Sequence, residues 1–290
     1  MTLPGPPEVD IRRPGVFGDR FWAGMREEGA RGALIAAAST VVVVGLIVVF
    51  VLNSEAWPAV QNQFFNGFHF RQSFPLVLRG FWQDIWMFLV AEVAILGLAL
   101  VIAVVRALRG PAFFPLRLMA VGFIDVIRGI PMILLILLMG FGIPALQLQG
   151  VTRSGLFWGL TAIVLGYSAY TAEVYRAGIE SVPESQRMSA RSLGLSQMQT
   201  LRYVIVPQAV RNVIPALLNG FVSLQKDVAL VFVLGVREGV REAQIYIGAT
   251  FNYTPYLAAT LLFLMVSIPL ARYADWYTER DRRRKQAMST

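Results

Sequence analysis

The sequence predicts an all-α integral membrane protein with six transmembrane helices and both termini in the cytoplasm. The 290 residues are 56% hydrophobic and only 15% charged, which is too apolar for a soluble domain of this length. Several apolar segments reach the length of about 20 residues that a helix needs to cross a bilayer. Nineteen of the 26 lysines and arginines fall in segments that this topology places in the cytoplasm, five fall outside and two lie within spans. This asymmetry predicts the orientation.

Six apolar segments are candidates for the transmembrane helices. They are residues 33–52, 85–105, 116–147, 155–175, 209–248 and 255–277. The third is interrupted by Gly129-Ile130-Pro131 and the fifth by Lys226-Asp227. The alternative for the first segment is a signal peptide, because Ser54-Glu55-Ala56 resembles a cleavage site. Its apolar run is longer than that of a usual signal peptide and begins late, so an uncleaved helix is favoured.

The remaining segments are polar or mixed and lie between or beyond the spans. Residues 1–32 form a Pro/Gly-rich basic cytoplasmic tail, and residues 278–290 form a second basic cytoplasmic tail. Residues 53–84 are rich in aromatic side chains and are predicted to be an external interfacial segment with rings at headgroup depth. Contact of these rings with a substrate is the alternative. Residues 85–277 form one transmembrane domain that includes a cytoplasmic loop, residues 177–210.

The cytoplasmic loop is polar, yet its sequence predicts a defined structure. Pro183 suits the first turn of a helix, and good helix formers occupy residues 184–193. Gly194 follows at the point where a helix C-terminus favours a residue with positive φ. A second helix is predicted for residues 196–206, and Pro207 opens the next one. A compact folded loop of this kind suits contact with a soluble partner.

Charged and helix-breaking residues inside the predicted spans mark a candidate polar path. Such charges are costly and usually face a cavity or one another, and broken helices free backbone groups for a ligand. The candidate path residues are Glu92, Asp125, Arg128, Gly129, Pro131, Lys226 and Asp227. Asp125 and Arg128 lie three residues apart and can also simply pair with each other, as can Lys226 with its neighbour. Glu92 has no partner nearby in sequence, so it either pairs across helices or faces an aqueous path.

Several function classes are excluded by residues that the sequence lacks. Without cysteine there are no disulfides or thiolate metal sites, and the single histidine, His69, cannot form a His-rich metal site. No phosphate-binding glycine loop and no hydrolase or zinc-protease motif is present, so we assign no catalytic residue, metal or cofactor to this chain. The net charge of +8 lies mostly at membrane flanks, so nucleic acid is not an expected partner. A pump built from this chain therefore needs an ion gradient or a separate ATPase.

The cytoplasmic loop also carries a motif with fixed spacing. Met188-Ser189-Ala190 is followed after three residues by Gly194, and after nine more by residues 204–207, VIVP. In these positions the sequence resembles the E-A-A-x3-G-x9-I-x-L-P loop of the membrane subunits of bacterial binding-protein-dependent ABC importers, in the polar amino-acid branch. Residues 125–131, DVIRGIP, are similar to the E-x-x-R-G-T-P stretch of that branch. The resemblance extends over about residues 81–277.

The resemblance implies a five-helix ABC importer permease core, residues 85–277, plus one extra N-terminal helix. In the family the loop docks as a coupling helix in a groove on the ATP-binding subunit, which is a helix-in-groove contact. The docking residues carried over by position are Glu184, Gln186, Arg187, Met188, Ser189, Ala190, Arg191, Gly194 and Pro207. Met188 stands where the family has glutamate, which removes a polar contact. Gln186, Arg187 and Arg191 are the candidates to replace that contact.

The resemblance also implies partners and a location. The chain would be the membrane-spanning subunit of an ATP-driven importer in the bacterial plasma (inner) membrane, and not an enzyme by itself. ATP and Mg would bind to a partner, the ATP-binding subunit dimer. A second permease subunit, identical or a sister chain, and an extracytoplasmic solute-binding protein would complete the assembly. Its substrate would be a polar amino acid or a related zwitterion.

Two other function classes stay open at this point. An ion-coupled secondary carrier often has two repeated halves, although this sequence shows no internal repeat. A structural or signalling membrane protein would use the loop as a scaffold. Uptake that survives ATP depletion favours the carrier, and binding of an ATP-binding subunit to the loop argues against the scaffold.

Overall fold

The computed structural model describes residues 29–108 and 110–287, and every regular element in this part of the chain is helical. The predicted tail of residues 1–32 lies mostly outside the described residues, as does the chain after residue 287. The α-helices in chain order are α1 (Gly29–Leu52), α2 (Trp57–Phe64), α3 (Gly67–Ala107), α4 (Phe114–Gly129), α5 (Met132–Leu137), α6 (Ile143–Ala145), α7 (Gly155–Glu180), α8 (Glu184–Ser192), α9 (Gln197–Thr200), α10 (Val206–Asp227), α11 (Gly239–Thr250) and α12 (Thr254–Ala287). The all-α prediction is confirmed for these residues.

Four helical segments are long and apolar enough to cross a membrane. They are Leu34–Leu52, Trp57–Ala107, Gln197–Leu234 and Thr254–Arg283. Pro111–Gly129 and Met132–Ala145 together form a fifth, bent by 106° at the predicted break. α7 contains the predicted span 155–175 and has 26 residues, but it is less apolar than these segments. Length and composition therefore support four or five spans among the described residues, and a sixth remains a prediction.

The chain divides into two compact units, residues 1–61 and residues 62–290. The first contains α1, which is helical over nearly the whole of the predicted span 33–52. None of the most apolar window in this helix is buried. Its side chains are therefore available to lipid or to another membrane helix.

α3 crosses the predicted boundary between the interfacial segment and the second span at residues 84 and 85. Asn66 caps the helix by accepting the N–H groups of Phe68 and His69. The helix then continues for 41 residues. Its buried positions before residue 85 recur at helical spacing and lie on one face: Ser73, Val77, Gly80, Phe81 and Asp84. The mixed composition predicted a separate segment, but one packed face lets the same helix continue.

The predicted fifth span, residues 209–248, is divided in the structure. α10 ends at Asp227, as the predicted break requires. Val228–Leu234 continues as a 3-10 helix, and Gly235 then turns the chain with a φ of 79°. α11 follows as a separate helix. The membrane-spanning candidate is therefore Gln197–Leu234, which begins and ends earlier than predicted.

Four hydrophobic cores pack the described part of residues 62–290, and α3 belongs to three of them. The first joins α3, α5, α7, α10 and the 3-10 helix; its buried members include Met87, Ile95, Leu135, Ile163, Leu224 and Val231. The second joins α3 to α11 and α12 through Val77, Phe81, Ala243, Ala259 and Leu262. One end of α3 therefore positions α11, while its middle lines the centre of the helical bundle.

Candidate functional site

The loop of residues 177–210 folds as predicted into two helices joined at a glycine. α8 ends just before Gly194, which has a φ of 83°. The N–H of Leu195 donates to the carbonyl of Ala190 at 3.2 Å. The N–H of Gly194 donates to the carbonyl of Arg191 at 3.0 Å, which completes a Schellman motif. Ser196 then caps α9 in a capping box. These local bonds satisfy backbone groups that helix ends leave open, so the loop's own sequence stabilises its shape.

The predicted boundary between the helix of residues 196–206 and a next helix that opens at Pro207 is absent. A π turn, Leu201–Ile205, leads from α9 directly into α10, and Pro207 lies in the first turn of α10. Proline has no N–H to donate, and the wider turn before it accommodates this irregularity. The loop is therefore continuous with a helix that runs into the first core.

The loop is attached to the end of α7 by both apolar and polar contacts. Val182 is buried with Ile205 and Ala209, and Ile179 at the end of α7 packs against them. The guanidinium of Arg187 donates from Nη2 to the carbonyl of Ile179 at 3.2 Å. These contacts fix α8 against the two long helices, so a displacement of the loop moves their ends.

The predicted docking residues divide into anchors and an exposed face. Ala190 is only 4% exposed and Arg187 is half-buried, so both face the protein. The other seven are exposed: Glu184, Gln186, Met188, Ser189, Arg191, Gly194 and Pro207. The structure adds three exposed apolar side chains that sequence reasoning missed: Leu193, Met198 and Tyr203. In the sequence, these apolar residues stand out from an otherwise polar loop, and this contrast could have identified them as part of the exposed face.

A ladder of charged side chains lies where α7 approaches the loop. Arg106 at the end of α3 forms an ion pair with Glu173 on α7. Arg176 donates to Glu173 Oε2 from Nε at 2.9 Å and from Nη2 at 2.8 Å, and it also pairs with Glu180. The ladder therefore ties α3 to the last turns of α7.

A cavity of about 420 Å³ lies between α3, α5, α7 and α10. Its lining residues are Glu92, Ile95, Leu96, Met132, Tyr167, Tyr170, Thr171, Val174, Ala216, Leu217, Gly220, Phe221, Ser223 and Asp227. Glu92 and Asp227 are its two carboxyl groups, and no lysine or arginine of the described chain lines it. The hydroxyl of Tyr167 donates to Asp227 Oδ2 at 2.7 Å. The cavity can therefore accept hydrogen bonds from a cationic or ammonium group.

The predicted path residues do not all meet at the cavity. Glu92 and Asp227 line it, and Asp227 bonds to a tyrosine rather than pairing with Lys226, which is exposed. Arg128 lies over the ring of Tyr170, 5.3 Å from its centre, and accepts the Tyr170 hydroxyl at its carbonyl. The other three predicted members, Asp125, Gly129 and Pro131, are exposed.

The alternative interpretation, a pair of Asp125 with Arg128, is therefore not formed in the described structure, because the ring of Tyr170 contacts the guanidinium. Sequence reasoning missed the polar wall that α7 contributes: Tyr167, Tyr170 and Thr171. Their spacing of three and four residues, on a helix predicted to be apolar, was the available signal.

Comparisons with known proteins agree with this architecture. A family model described as binding-protein-dependent transport system inner membrane component matches residues 111–283. One curated relative is the probable glutamine ABC transporter permease protein GlnM of Bacillus subtilis (strain 168), 29% identical over 209 residues, which cover 72% of this chain and 94% of the relative. Another is the arginine transport system permease protein ArtQ of the same organism, 32% identical over 197 residues, covering 68% and 88%.

A solved structure with a similar fold is the crystal structure of an amino acid ABC transporter with histidines. It superimposes with a TM-score of 0.64 at 30% identity, and the match covers 71% of this chain and 94% of that one.

A bundle of apolar helices around a cavity that contains two carboxyl groups, with a folded loop beside it, is typical of a membrane-transport subunit. The match to the family model covers more than half of the chain and therefore identifies the family. This chain belongs to the family of binding-protein-dependent transport system inner membrane components, with the ABC permease fold. It is a multi-pass inner-membrane protein, and the resemblance that the loop motif suggested is confirmed.

Proposed function

We propose that this chain is the membrane-spanning subunit of an ATP-driven importer for a polar amino acid or a related zwitterion. A separate ATP-binding subunit dimer, which binds ATP and Mg, holds the loop. A second permease subunit and an extracytoplasmic solute-binding protein complete the assembly. The observation that carries this proposal is continuity: α7 enters the loop, α10 leaves it, and both helices line the cavity.

The loop is suited to receive a mechanical input from a soluble ATPase. Its exposed apolar side chains, among them Leu193 and Met198 at 83% and 71% exposure, are costly to leave in water and favour a partner groove. Its anchors, Val182 and Arg187, attach it to the end of α7. A partner that moves α8 therefore moves both cavity helices as one unit.

The cavity favours a substrate with an ammonium group. Glu92 and Asp227 provide negative charge, and Thr171 and Ser223 provide hydroxyl groups beside it. Every amino acid carries an α-ammonium group, which would hydrogen-bond to these acceptors. The printed names of two relatives specify glutamine and arginine, which supports the amino-acid class.

The proposed topology has six spans with both termini and the loop in the cytoplasm. α7 supplies the sixth span; neighbouring helices surround it, so its lower hydropathy is tolerated. The absence of native cysteine makes this topology directly testable. In the proposed orientation, Ser189→Cys reacts with a membrane-impermeant maleimide only from the cytoplasmic side, and Gln149→Cys reacts only from the other side. The reverse pattern would overturn the topology.

The functional test is reconstitution of the chain with its ATP-binding subunit, in proteoliposomes with the solute-binding protein outside. We expect amino-acid uptake that requires ATP inside and persists with an ionophore, and no ATPase activity from the chain alone. Uptake that continues without ATP and stops with the ionophore would assign the chain to ion-coupled carriers instead.

A further inference from the structure

Two buried carboxyl groups meet at the N-terminus of α11, away from the cavity. Glu238 is the N-cap residue: its Oε2 accepts the N–H of Val240 at 2.7 Å, and its Oε1 accepts that of Arg241 at 2.6 Å. Asp84, on α3, accepts the N–H of Gly239 through Oδ2 at 3.0 Å. Asp84 is 1% exposed and Glu238 is 0% exposed. Two acidic residues from different helices therefore share one helix end, out of reach of solvent.

Backbone packing holds these two groups together. Gly80 lies one turn before Asp84 on α3, and a Cβ at this position would lie 2.6 Å from the carbonyl carbon and oxygen of Glu238. Only glycine permits this contact, so α3 and the start of α11 touch through their backbones. The carboxyl groups cannot separate without breaking this contact.

No cation neutralises the pair in the described part of the chain. Arg237 pairs with Glu242 at 2.7 Å and is 69% exposed, and the guanidinium of Arg241 bonds to Gln244 at 3.1 Å. The third helix packed here, α12, contributes apolar side chains such as Ala259 and Leu262. Glu242 is a further acid close to Glu238, so it adds repulsion. Asp84 Oδ1 is buried and has no hydrogen-bond partner.

The side chains of Asp84 and Glu238 lie within hydrogen-bonding reach of each other. Two buried carboxylates so placed cannot both remain ionised, because the repulsion and the lost hydration both favour keeping one proton. The partial positive charge at a helix N-terminus stabilises one negative charge. Glu238 lies beyond the candidate span Gln197–Leu234, and burial raises its pKa to about 7, although two backbone N–H bonds lower it.

We propose that Asp84 and Glu238 form a binding site for one proton, which joins Asp84 Oδ1 to the Glu238 carboxylate and fastens α11 to α3. The proton gives the unpartnered oxygen a hydrogen bond and leaves the pair with a single negative charge at the helix end. The proton passes from water to one carboxylate oxygen, where it forms an O–H bond, and this O–H donates a hydrogen bond to the other carboxylate; no other bond changes.

The site makes stability depend on pH in a defined direction. The folded protein retains a proton that the unfolded chain releases near the ordinary carboxyl pKa of about 4. The stabilisation is therefore complete below that value, and it is lost as the pH rises through the raised pKa of the pair, of which Glu238 has a pKa of about 7.

The direct test is infrared spectroscopy of the full-length chain in lipid nanodiscs. We expect a protonated-carboxyl stretching band at pH 6 that shifts when the aspartate and glutamate side chains carry ¹³C, weakens towards pH 9, and disappears in Asp84→Asn. Glu279→Gln, which changes an exposed acid on α12, is the matched control and keeps the band. Absence of the band at pH 6 in the unmodified protein overturns the proposal without requiring any variant to fold.

Thermal unfolding provides a second readout. The asparagine of Asp84→Asn can accept the Gly239 N–H and donate to Glu238, so it mimics the protonated pair. We expect the Tm of the unmodified protein to fall by about 5 °C from pH 6 to pH 9, and that of Asp84→Asn to change much less. Equal pH dependence in the two proteins contradicts the proposal. A Tm that rises when sodium replaces choline at constant ionic strength would assign the site to a metal cation instead.

Discussion

The loop of residues 177–210 and the cavity are connected by the same two helices, yet they are stabilised in opposite ways. The loop is held largely by bonds between near neighbours, such as Leu195 to Ala190. The cavity depends on contacts between distant residues, such as the bond from Tyr167 to Asp227, 60 positions apart. The loop can therefore keep its structure while it moves with a partner, whereas the shape of the cavity changes whenever its helices move. This difference suits a transporter in which a partner binds the loop and the cavity opens.

The largest expected effect comes from placing a charge on the exposed face of the loop. Leu193→Asp puts a carboxylate where we propose that an apolar groove contacts the side chain, and loss of a hot-spot contact at such an interface costs about 2 kcal/mol or more. We expect ATP-driven uptake to fall by about tenfold or more, while the protein stays folded. Leu193→Met is the matched control and retains uptake. Normal uptake by the aspartate variant would show that this face is not the docking surface.

The next effect is expected in the cavity. Asp227→Asn removes the negative charge from the group that accepts the Tyr167 hydroxyl, and hydrogen bonds to charged groups contribute about 1.5–3 kcal/mol. We expect the substrate concentration for half-maximal uptake to rise about tenfold, because 1.4 kcal/mol corresponds to a factor of ten. Tyr167→Phe removes the same bond, so the double variant should be no worse than Asp227→Asn alone. Additive effects would mean that the two side chains act separately.

A smaller effect is expected at the loop's turn. Gly194 has a φ of 83°, and a β-branched residue in this conformation costs about 1–2 kcal/mol. Gly194→Val should lower the amount of substrate transported per ATP hydrolysed, whereas Gly194→Asn should do so less, because asparagine tolerates positive φ. Equal ratios for both variants would show that the turn geometry does not limit coupling.

The smallest effect is expected at the charged ladder between the two regions. The Arg106–Glu173 pair is partly exposed, so its contribution is at most about 1 kcal/mol. Arg106→Gln should lower Tm by about 2–4 °C at low salt and less at high salt. Arg283→Gln, which removes an exposed pair within one helix, is the matched control and should leave Tm unchanged. A larger loss of Tm in Arg283→Gln than in Arg106→Gln would mean that the ladder does not join α3 to α7.

The comparison also explains which predictions succeeded. The helix, glycine turn and second helix of the loop were predicted because capping and left-handed φ depend on residues within one or two turns of each other. The bend near Pro131 and the helix end at Asp227 were predicted for the same reason. The alternative pairing of Asp125 with Arg128 does not form, because a tyrosine on another helix contacts the arginine.

The sequence alone determined the helical class, the apolar segments, the folded loop and the family, because composition, spacing and capping are local properties of the chain. The tertiary structure alone decided which face of α7 lines the cavity and how far α3 extends. It also decided that Asp84 accepts the N–H of Gly239, 155 positions away in sequence, beside Glu238. Helical spacing fixes which residues share a face, but only the packing of several helices decides what that face meets.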